Sequence, residues 1–257
     1  MRTHSTHKIK IWLTALLLFI FTAGCGDPDK NGAGGILGGP PPIPLASDCG
    51  VGILAGSTVT NTNTPTSISG TSGQLADVDV SPGSAITGFP PGTKTGAFHA
   101  ADATAATAQG DLTAAYNTAA GKAGGAALVA DIGGLTLTPG VYKQGTSLGI
   151  TGNLTLDGGG DPNAAWIFQI GTTLTTAAGN SHIILINGAS AHNVFWQVGS
   201  SATLGVNTPG TATVFQGTIM ALTSITLGQG AVLNGRALAR NGAVTLDNNA
   251  VVVPSCP

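Results

Sequence analysis

A short motif that recurs along the second half of the chain constrains the fold more than any other feature. In each copy a turn is followed by an apolar residue, a threonine and a further small or apolar residue. The central threonines of four copies are Thr175, Thr203, Thr226 and Thr245, spaced 28, 23 and 19 residues apart. Structural repeats of about 20 to 30 residues are typical of solenoids, in which each repeat forms one coil. The motif therefore predicts a β-solenoid.

Strand geometry predicts which way these residues point. Side chains alternate between the two sides of a strand, so the apolar neighbours should face the core and the threonines should face solvent. Stacked coils would then place the four threonines in one line, about 4.8 Å apart. Small residues are expected in flanking columns, on one side Thr173, Ser201 and Ser224, and on the other Thr151, Ala177, Gly205 and Gly228. Asp247 is the one charge expected in these columns.

The composition agrees with a solenoid and excludes several other classes. The chain has 257 residues with 40 glycines, 5% aromatic and 8% charged residues, and its acidic residues are all Asp. These values argue against an ordinary mixed α/β enzyme, and the positive mean hydropathy of +0.30 argues against a disordered chain. The formal net charge is −2, and becomes more negative without the basic leader. A nucleic acid is therefore not expected as a partner.

The first residues predict export. A basic stretch, Met1 to Lys10, precedes the apolar run Ile11 to Phe21, so residues 1–24 are interpreted as a signal peptide. The run ends in Thr22-Ala23-Gly24-Cys25, which resembles the lipobox of bacterial lipoproteins, although Thr22 stands where that motif usually has Leu. Cys25 is accordingly predicted to carry lipid, which would be the only membrane contact. Ordinary cleavage near Gly24 is the alternative.

A Gly- and Pro-rich stretch follows, and residues 25–48 are predicted to be a tether before a folded domain at 49–257. Cys49 and Cys256 then remain at the two ends of the domain in an oxidising context, and a disulfide between them is predicted. Two independent thiols are the alternative. Such a bridge would close a loop of about 200 residues and contribute about 4 to 5 kcal/mol if unstrained.

One α-helix is predicted, near residues 99–120. The stretch from His99 to Asn117 is rich in alanine, and glycines follow it from Gly121. Leu112 and Tyr116 form an i, i+4 pair that should pack against the solenoid. The fold class is thus all-β with one long helix along a side.

Bulky residues form a second repeat, Trp166 to Ile170 and Val194 to Val198, with Val214 to Gln216 as a partial third copy. They are interpreted as core and helix-facing residues. A carbohydrate-stacking platform is the alternative, because Trp and Phe serve in both roles.

No catalytic, metal or cofactor site is predicted, and the protein is not expected to be an enzyme. His99, His182 and His192 are widely separated and match no metal-binding spacing. His99 with Asp102 indicates hydrogen bonding at the helix start. Asp157 and Asp161 are interpreted as turn formers. Two late basic residues, Arg236 and Arg240, are interpreted as solvated or as bonded at corners.

Several segments resemble one known family. They include Leu54 to Thr62, Val80 to Gly92, His99 to Asn117, Gly133 to Tyr142, Asn193 to Gly205 and Asn234 to Leu246. In this order they are similar to the microbial ice-binding proteins over nearly all of the chain from Cys49 to Val253. The resemblance implies a discontinuous right-handed β-solenoid with a triangular cross-section and a long flanking helix. It also implies that the first and last strands meet at one end, with little or no capping insertion near Ile86 to Gly96.

The resemblance further implies that a flat face rich in Thr, Ser, Ala and Gly binds ice. The expected ice-binding residues are Thr151, Thr173, Thr175, Ser201, Thr203, Ser224, Thr226 and Thr245. The protein is then expected to adsorb to ice as a monomer and to restrain ice growth and recrystallisation. A surface adhesin or carbohydrate-binding solenoid without ice affinity is the alternative.

Overall fold

The computed structural model describes residues 39–62, 65–206 and 213–255, together with Met1. The chain divides into two units, Met1–Ala33 and Gly34–Pro257, and the helices and strands belong to the second. No helix in the described part of the chain combines the length and apolar character that a bilayer crossing requires.

Seven strands precede the helix. A short 3-10 helix, Ala46–Gly50, leads into them, and a second one, Thr71–Gly73, follows the third strand. The strands are β1 (Val51–Ala55), β2 (Thr58–Thr62), β3 (Ser67–Gly70), β4 (Asp77–Val80), β5 (Ala85–Thr87), β6 (Thr93–Lys94) and β7 (Phe98–Ala100).

Helix α1 (Ala103–Ala120) follows, and the remaining strands come after it. A 3-10 helix, Ala191–Asn193, precedes the ninth of them. They are β8 (Ala126–Ala127), β9 (Thr136–Leu137), β10 (Gly140–Gln144), β11 (Leu148–Ile150), β12 (Asn153–Asp157), β13 (Trp166–Ile170), β14 (Leu174–Thr176), β15 (His182–Ile186), β16 (Val194–Val198), β17 (Ala202–Leu204), β18 (Val214–Ala221), β19 (Ile225–Leu227), β20 (Val232–Ala239), β21 (Val244–Asp247) and β22 (Ala250–Val253).

The strands stack in parallel into the three faces of a solenoid, which confirms the predicted fold. One face, here called the helix sheet, has the order β8-β10-β13-β16-β18-β20-β1-β4-β7. The second has the order β11-β14-β17-β19-β21-β2-β5, and its outward side is here called the threonine face. The third contains β9, β12, β15, β22, β3 and β6 together with the first halves of β18 and β20.

The order of the coils is discontinuous in sequence. Strands β1, β2 and β3 stack on β20, β21 and β22, so the first complete coil of the domain lies directly on the last one. Helix α1 then carries the chain from β7, at one end of the helix sheet, towards β8 at the other. Its 18 residues span about 27 Å at 1.5 Å per residue. The helix is therefore the return connection that a discontinuous solenoid requires.

Glycines form the corner at which β18 and β20 pass from the third face to the helix sheet. Gly217 has a φ of +105°, a value that favours glycine. A Cβ on its neighbour Gly235 would lie 1.9 Å from the carbonyl oxygen of Gly217. The close stacking of these two corners therefore requires both glycines.

The predicted aromatic residues form the core and do not form a binding platform. Phe168 stacks on Trp196 with ring centroids 3.9 Å apart, and Trp166 is fully buried beside them. The prediction that Val214 to Gln216 form a partial third copy of this repeat is wrong. The strand partner of Phe195 is Thr218, and Val214 pairs instead with His182 on the third face. Phe215 lies on the third face, before the corner at Gly217, and its ring still packs in the core against Trp196 with centroids 5.0 Å apart.

Helix α1 packs on the outer side of the helix sheet, as predicted. Its buried side consists of Leu112, Tyr116 and four alanines, and it contacts Phe195, Met220 and Leu238. The predicted start at residue 99 is wrong, because His99 and Ala100 pair with Asp79 and Val80 in the sheet. The helix begins after Asp102, whose Oδ1 accepts a hydrogen bond from the backbone N–H of Ala105 at 2.9 Å.

The tether predicted over 25–48 extends too far, because the chain already packs on the helix sheet before Cys49. Ile43 is 2% exposed and Leu45 is 7% exposed, and both belong to the apolar cluster beneath helix α1. Ser47 donates backbone and side-chain hydrogen bonds to Asp111 of the helix. Residues 43–50 are here called the strap, since they lie beside the helix on the same sheet.

Candidate functional site

The predicted line of threonines is present on the threonine face. Thr175 pairs with Thr203, Thr203 with Thr226 and Thr226 with Thr245 in unbroken parallel register. Thr175, Thr203 and Thr226 are exposed and Thr245 is half-buried. Their strand neighbours are buried, including Leu174, Ala202, Leu204, Ile225, Leu227, Val244 and Leu246. The predicted inward and outward assignment is therefore confirmed.

The line continues into the first coils of the domain, which the sequence motif did not indicate. Thr60 pairs with Thr245, and Thr87 pairs with Thr60. At the other end Gly149 pairs with Thr175, and Asp131 bridges to Gly149. We call the positions Gly149, Thr175, Thr203, Thr226, Thr245, Thr60 and Thr87 the central file. Its six consecutive threonines span about 24 Å at the usual strand spacing.

The column on one side of the central file carries hydroxyls that bond to each other or to the next coil. Thr173 Oγ1 donates to Ser147 Oγ at 2.9 Å. Ser201 Oγ accepts from the backbone N–H of Ser224 at 3.4 Å, and Ser224 Oγ accepts from the N–H of Ala243 at 3.3 Å. These three predicted residues therefore help to fix the coils. Each serine hydroxyl keeps its own hydrogen for a further partner.

The column on the other side is more varied. Gly205 and Gly228 have no room for a side chain, because a Cβ would lie 2.4 Å from the carbonyl oxygen of Ala177 and 2.6 Å from that of Leu204. Thr62 pairs with Asp247, the charge that the sequence placed in this column. The glycines thus permit the close stacking of coils and add no side chain to the column.

Thr151 differs from the other predicted site residues because it lies against a charge. Its backbone N–H donates to Asp131 Oδ1 at 3.0 Å. Its hydroxyl also bonds this carboxylate, and this bond is the main reason why the pKa of Asp131 lies below its usual range. Thr151 is therefore at the margin of the threonine face, where an ionised carboxylate ends the uncharged surface.

The central file presents an array of small groups on a rigid support. Each threonine offers a methyl and a hydroxyl on a side chain with restricted χ1. No hydrogen bond among the described residues involves the hydroxyls of Thr175, Thr203 or Thr226. Neighbouring positions are separated by about 4.8 Å across strands and about 6.7 Å along a strand. Such an array can order a layer of water at little entropic cost, because few of its own groups remain to be fixed.

A comparison with family models gives a match to the ice-binding-like family over residues 53–252. This range includes the helix, the strands on either side of it and all six threonines of the central file. The chain belongs to the ice-binding-like family.

Other members of the family agree with this match. A protein of Nostoc sp. (strain HG1) named ice-binding protein is 52% identical over 209 residues, which cover 80% of this chain and 72% of that one. The match covers 13% of ice-binding protein 1 of Shewanella frigidimarina (strain NCIMB 400). It covers 51% and 55% of the ice-binding proteins of Flavobacterium frigoris (strain PS1) and Colwellia sp. The matched region is thus only part of some relatives.

Solved structures of the family share the fold. An ice-binding protein from an Antarctic biological consortium has a TM-score of 0.75 and 46% identity, covering 82% of this chain and 90% of that one. The ice-binding protein of the Antarctic ascomycete Antarctomyces psychrotrophicus has a TM-score of 0.74 and 40% identity, with 82% and 98% coverage. The fold of this chain is therefore shared with these two family members.

Several titratable residues outside the threonine face have structural partners. Asp157 Oδ1 accepts from the N–H of Gly159 and from Asn187, and Asp161 Oδ1 accepts from the N–H of Asn163, so both are turn formers as predicted. His99 Nδ1 lies 2.9 Å from Asp102 Oδ2, which confirms a hydrogen bond at the helix start. Within the described ranges no three His, Cys, Asp or Glu side chains are grouped to hold a metal ion.

Arg236 follows the second of its two interpretations, since it bonds within the protein, and it bears on the cysteines. It is 1% exposed, so it is not solvated, and its guanidinium donates to the carbonyl oxygens of Cys49 and Pro254. Burial lowers the pKa of this guanidinium to about 10, against the opposing effect of the nearby Asp48 carboxyl. Cys25 and Cys256 lie outside the described residues. Lipidation and the Cys49–Cys256 disulfide therefore stay predictions.

Proposed function

We propose that this protein adsorbs to ice through the threonine face and thereby restrains ice growth and recrystallisation. The observation that carries the proposal is the run of six threonines in unbroken register on an exposed parallel sheet. The central file and its two flanking columns lie within the described part of the chain. In this set of residues Asp247 is the only charged one. Family membership and the named ice-binding relatives support the same function.

The mechanism follows from rigidity and spacing. Backbone hydrogen bonds between coils fix the strands, and buried neighbours fix each threonine from below. Water held between the threonine methyls and hydroxyls is thus ordered before ice is met. Because the side chains that order this water are already fixed on folding, the loss of entropy on adsorption is small. The proposed site comprises the central file and the hydroxyls of Thr173, Ser201 and Ser224, with Thr151 at its margin.

Substitution of a large side chain into the central file tests the site. Thr203→Tyr and Thr226→Tyr would each lift the protein away from a flat ice surface, and we expect a loss of at least half of the thermal hysteresis. Both side chains are exposed, so the melting temperature should stay within about 2 °C of the parent. Ser67→Tyr, an exposed position on the third face, is the matched control and should retain full activity.

The thermal hysteresis of the parent protein also separates ice binding from the alternative class of adhesins and carbohydrate-binding solenoids. Round ice crystals without thermal hysteresis in the parent protein would favour that class. The aromatic side chains that a sugar-stacking platform would use are unavailable to it, because Trp166, Phe168 and Trp196 are fully buried. We propose that the protein is a monomer whose partner is the ice surface. It would have no catalytic activity, cofactor or nucleic-acid partner.

For the N-terminus we propose export, with residues 1–24 as signal peptide and a lipid on Cys25 that holds the domain at the cell envelope or surface. The tether would then be shorter than residues 25–48, since Ile43 and Leu45 already pack on the helix sheet. Mass spectrometry of the N-terminal peptide should show an acylated Cys25. Cys25→Ser should release the protein from the membrane fraction, and a membrane-bound variant would contradict lipid anchoring.

For the domain ends we propose a disulfide between Cys49 and Cys256. Arg236 supports it, because one guanidinium bonds both Cys49 and Pro254 and so holds the start of the domain near residue 254. Alkylation of the native protein should leave both thiols unmodified, and reduction should expose them together. Cys256→Ser should lower the free energy of unfolding by about 2 to 5 kcal/mol. Labelling of either thiol without reductant would refute the pairing.

A further inference from the structure

We propose that Asp48 and Asp79 form a buried acid latch, a pair of uncharged carboxylic acids whose ionisation loosens helix α1 and the strap from the helix sheet. The latch is independent of the proposed ice binding, because it lies on another face of the solenoid. It would make the cover of the helix sheet sensitive to alkaline pH.

The first observation is the burial of both side chains without partners. Asp48, in the strap, and Asp79, in β4, are each 0% exposed. Neither oxygen of either carboxyl has a hydrogen-bond partner among the described residues. An ionised carboxylate in such a place would lack both water and donors, which is costly, whereas the protonated acid is tolerated. Both groups therefore favour the neutral form.

The second observation is the position of the pair at the interface of three elements. Asp79 stands next to Leu54 of β1 and His99 of β7 in the register of the helix sheet. Leu54 belongs to the apolar cluster that helix α1 covers. Asp48 follows Ser47, whose backbone and side chain bond Asp111 of the helix. Charge on either acid would thus develop beneath the helix or the strap.

The charged neighbours of Asp48 come from all the elements around it. Burial raises its pKa to about 8, and the charges of Asp111 on the helix and of Asp79 on β4 act in the same direction. Arg236 on β20 opposes them but bonds backbone carbonyls and not this carboxyl. Arg236, the one cation among the described residues that lowers the pKa of Asp48, thus does not offset burial.

The charged neighbours of Asp79 are those of the helix start. Burial raises its pKa to about 7, and Asp77 on β4 and Asp102 at the helix N-cap add to the effect, while His99 lowers it. The pKa of His99 itself is raised, mainly by its hydrogen bond to Asp102. As the pH rises, His99 loses its proton and this compensation disappears.

The sign of the pH dependence follows. In the unfolded chain both acids lose their protons near pH 4, whereas the folded protein keeps them until about pH 7 to 8. The folded state then binds more protons, so stability falls with rising pH across this window. The raised pKa of His99 contributes in the same direction, so removal of the two acids leaves a residual slope.

Thermal unfolding from pH 5.5 to pH 8.5 tests the latch on the whole domain. The parent should lose about 5 °C or more of its melting temperature over this range. The double variant Asp48→Asn with Asp79→Asn, which keeps both side chains neutral, should lose less than half as much. Asp161→Asn, a turn aspartate, is the matched control and should follow the parent. A parent curve that is flat or rises with pH overturns the proposal, as does an equal loss in the double variant.

Two further measurements keep the test decisive if the double variant does not fold. In carbon-detected titration of the parent, two aspartate carboxyls should titrate above pH 6, and the absence of any such group overturns the latch. Hydrogen exchange, corrected for the intrinsic pH dependence, should accelerate in helix α1 and the strap at pH 8.5 relative to pH 6. Uniform acceleration across the threonine face as well would contradict a local release.

Discussion

At the scale of single residues, the threonine face depends on what stands beside each threonine. A threonine of the central file faces solvent because its two neighbours face the core, as Leu204 and Ala202 do for Thr203. At Thr60 one inward neighbour is Asn61, which is buried yet donates to the carbonyl oxygen of Gly88 at 3.0 Å and accepts from Thr66 Oγ1 at 2.6 Å. A polar residue thus fills an inward position where its hydrogen bonds are satisfied.

Thr60→Tyr tests whether the first coil belongs to the functional surface. Because Thr60 is one position from the end of the six threonines, as Thr203 is at the other end, we expect thermal hysteresis to fall about as much as for Thr203→Tyr. Ser67→Tyr serves again as the control, since it lies in the same coil on another face. Full activity of Thr60→Tyr would restrict the site to the later coils.

Gln169 provides a test of how the helix is fixed. Its Nε2 donates to the carbonyl oxygens of Ala119, Ala120 and Lys122 at 2.7 to 3.2 Å, which satisfies the C-terminal end of helix α1. Gln169→Leu should lower the free energy of unfolding by about 1 to 3 kcal/mol in urea titrations. Gln216→Leu, half-buried on the third face, should change it by less than about 0.5 kcal/mol. Equal effects of the two substitutions would refute the capping role.

At the scale of elements, the strap and helix α1 together cover the helix sheet. The helix contributes Leu112 and Tyr116, and the strap contributes Ile43 and Leu45, to one apolar cluster. Tyr116 also donates from its hydroxyl to the carbonyl oxygen of Val198 and accepts from Gln197, so its polar end is satisfied. The sheet is therefore covered by two elements, of which one, the strap, begins before Cys49.

Ile43→Ala measures the strap's contribution. The side chain is almost fully buried, and its truncation should lower the free energy of unfolding by about 2 to 4 kcal/mol. Val129→Ala, at a side chain that is 62% exposed, is the control and should change it by less than about 0.5 kcal/mol. Chemical denaturation of both variants decides. A strap that behaves as a tether would give no difference between them.

The elements also show how far the sequence could be read. The repeated triplet predicted the solenoid and four threonines of the central file because an alternating pattern is a local property. Thr60 and Thr87 were not predicted, since they precede the helix and lie outside the second half of the chain, in which the triplet recurs. Their place depends on the stacking of the first coil on the last, which involves residues far apart in sequence. The family resemblance implied this meeting, but local spacing did not.

Two boundaries failed for a related reason. Ala100 and the alanines after it have the composition of a helix, yet Ala100 pairs with Val80, so sheet pairing overrides local propensity. Ile43 and Leu45 are isolated apolar residues among prolines, and only the sheet beneath them explains their burial. In both cases the missing information was tertiary.

At the scale of the whole molecule, the helix sheet, the core and the threonine face have different roles. The helix sheet is covered, the core between the faces is filled by aliphatic and aromatic side chains, and the threonine face is open. The outermost strands β5, β6, β7, β8, β9 and β11 have only two or three residues each, which limits edge-to-edge pairing between molecules. This agrees with the proposal that one molecule acts alone on ice.

The most direct test of the central claim is to image fluorescently labelled protein on a single ice crystal, with Thr203→Tyr and Ser67→Tyr beside the parent. The account predicts that the parent and Ser67→Tyr coat defined planes of the crystal. Thr203→Tyr, shown to be folded by its circular dichroism spectrum, should leave the crystal without fluorescence. Equal coating by Thr203→Tyr, or a dark crystal with the parent, would contradict adsorption through the threonine face.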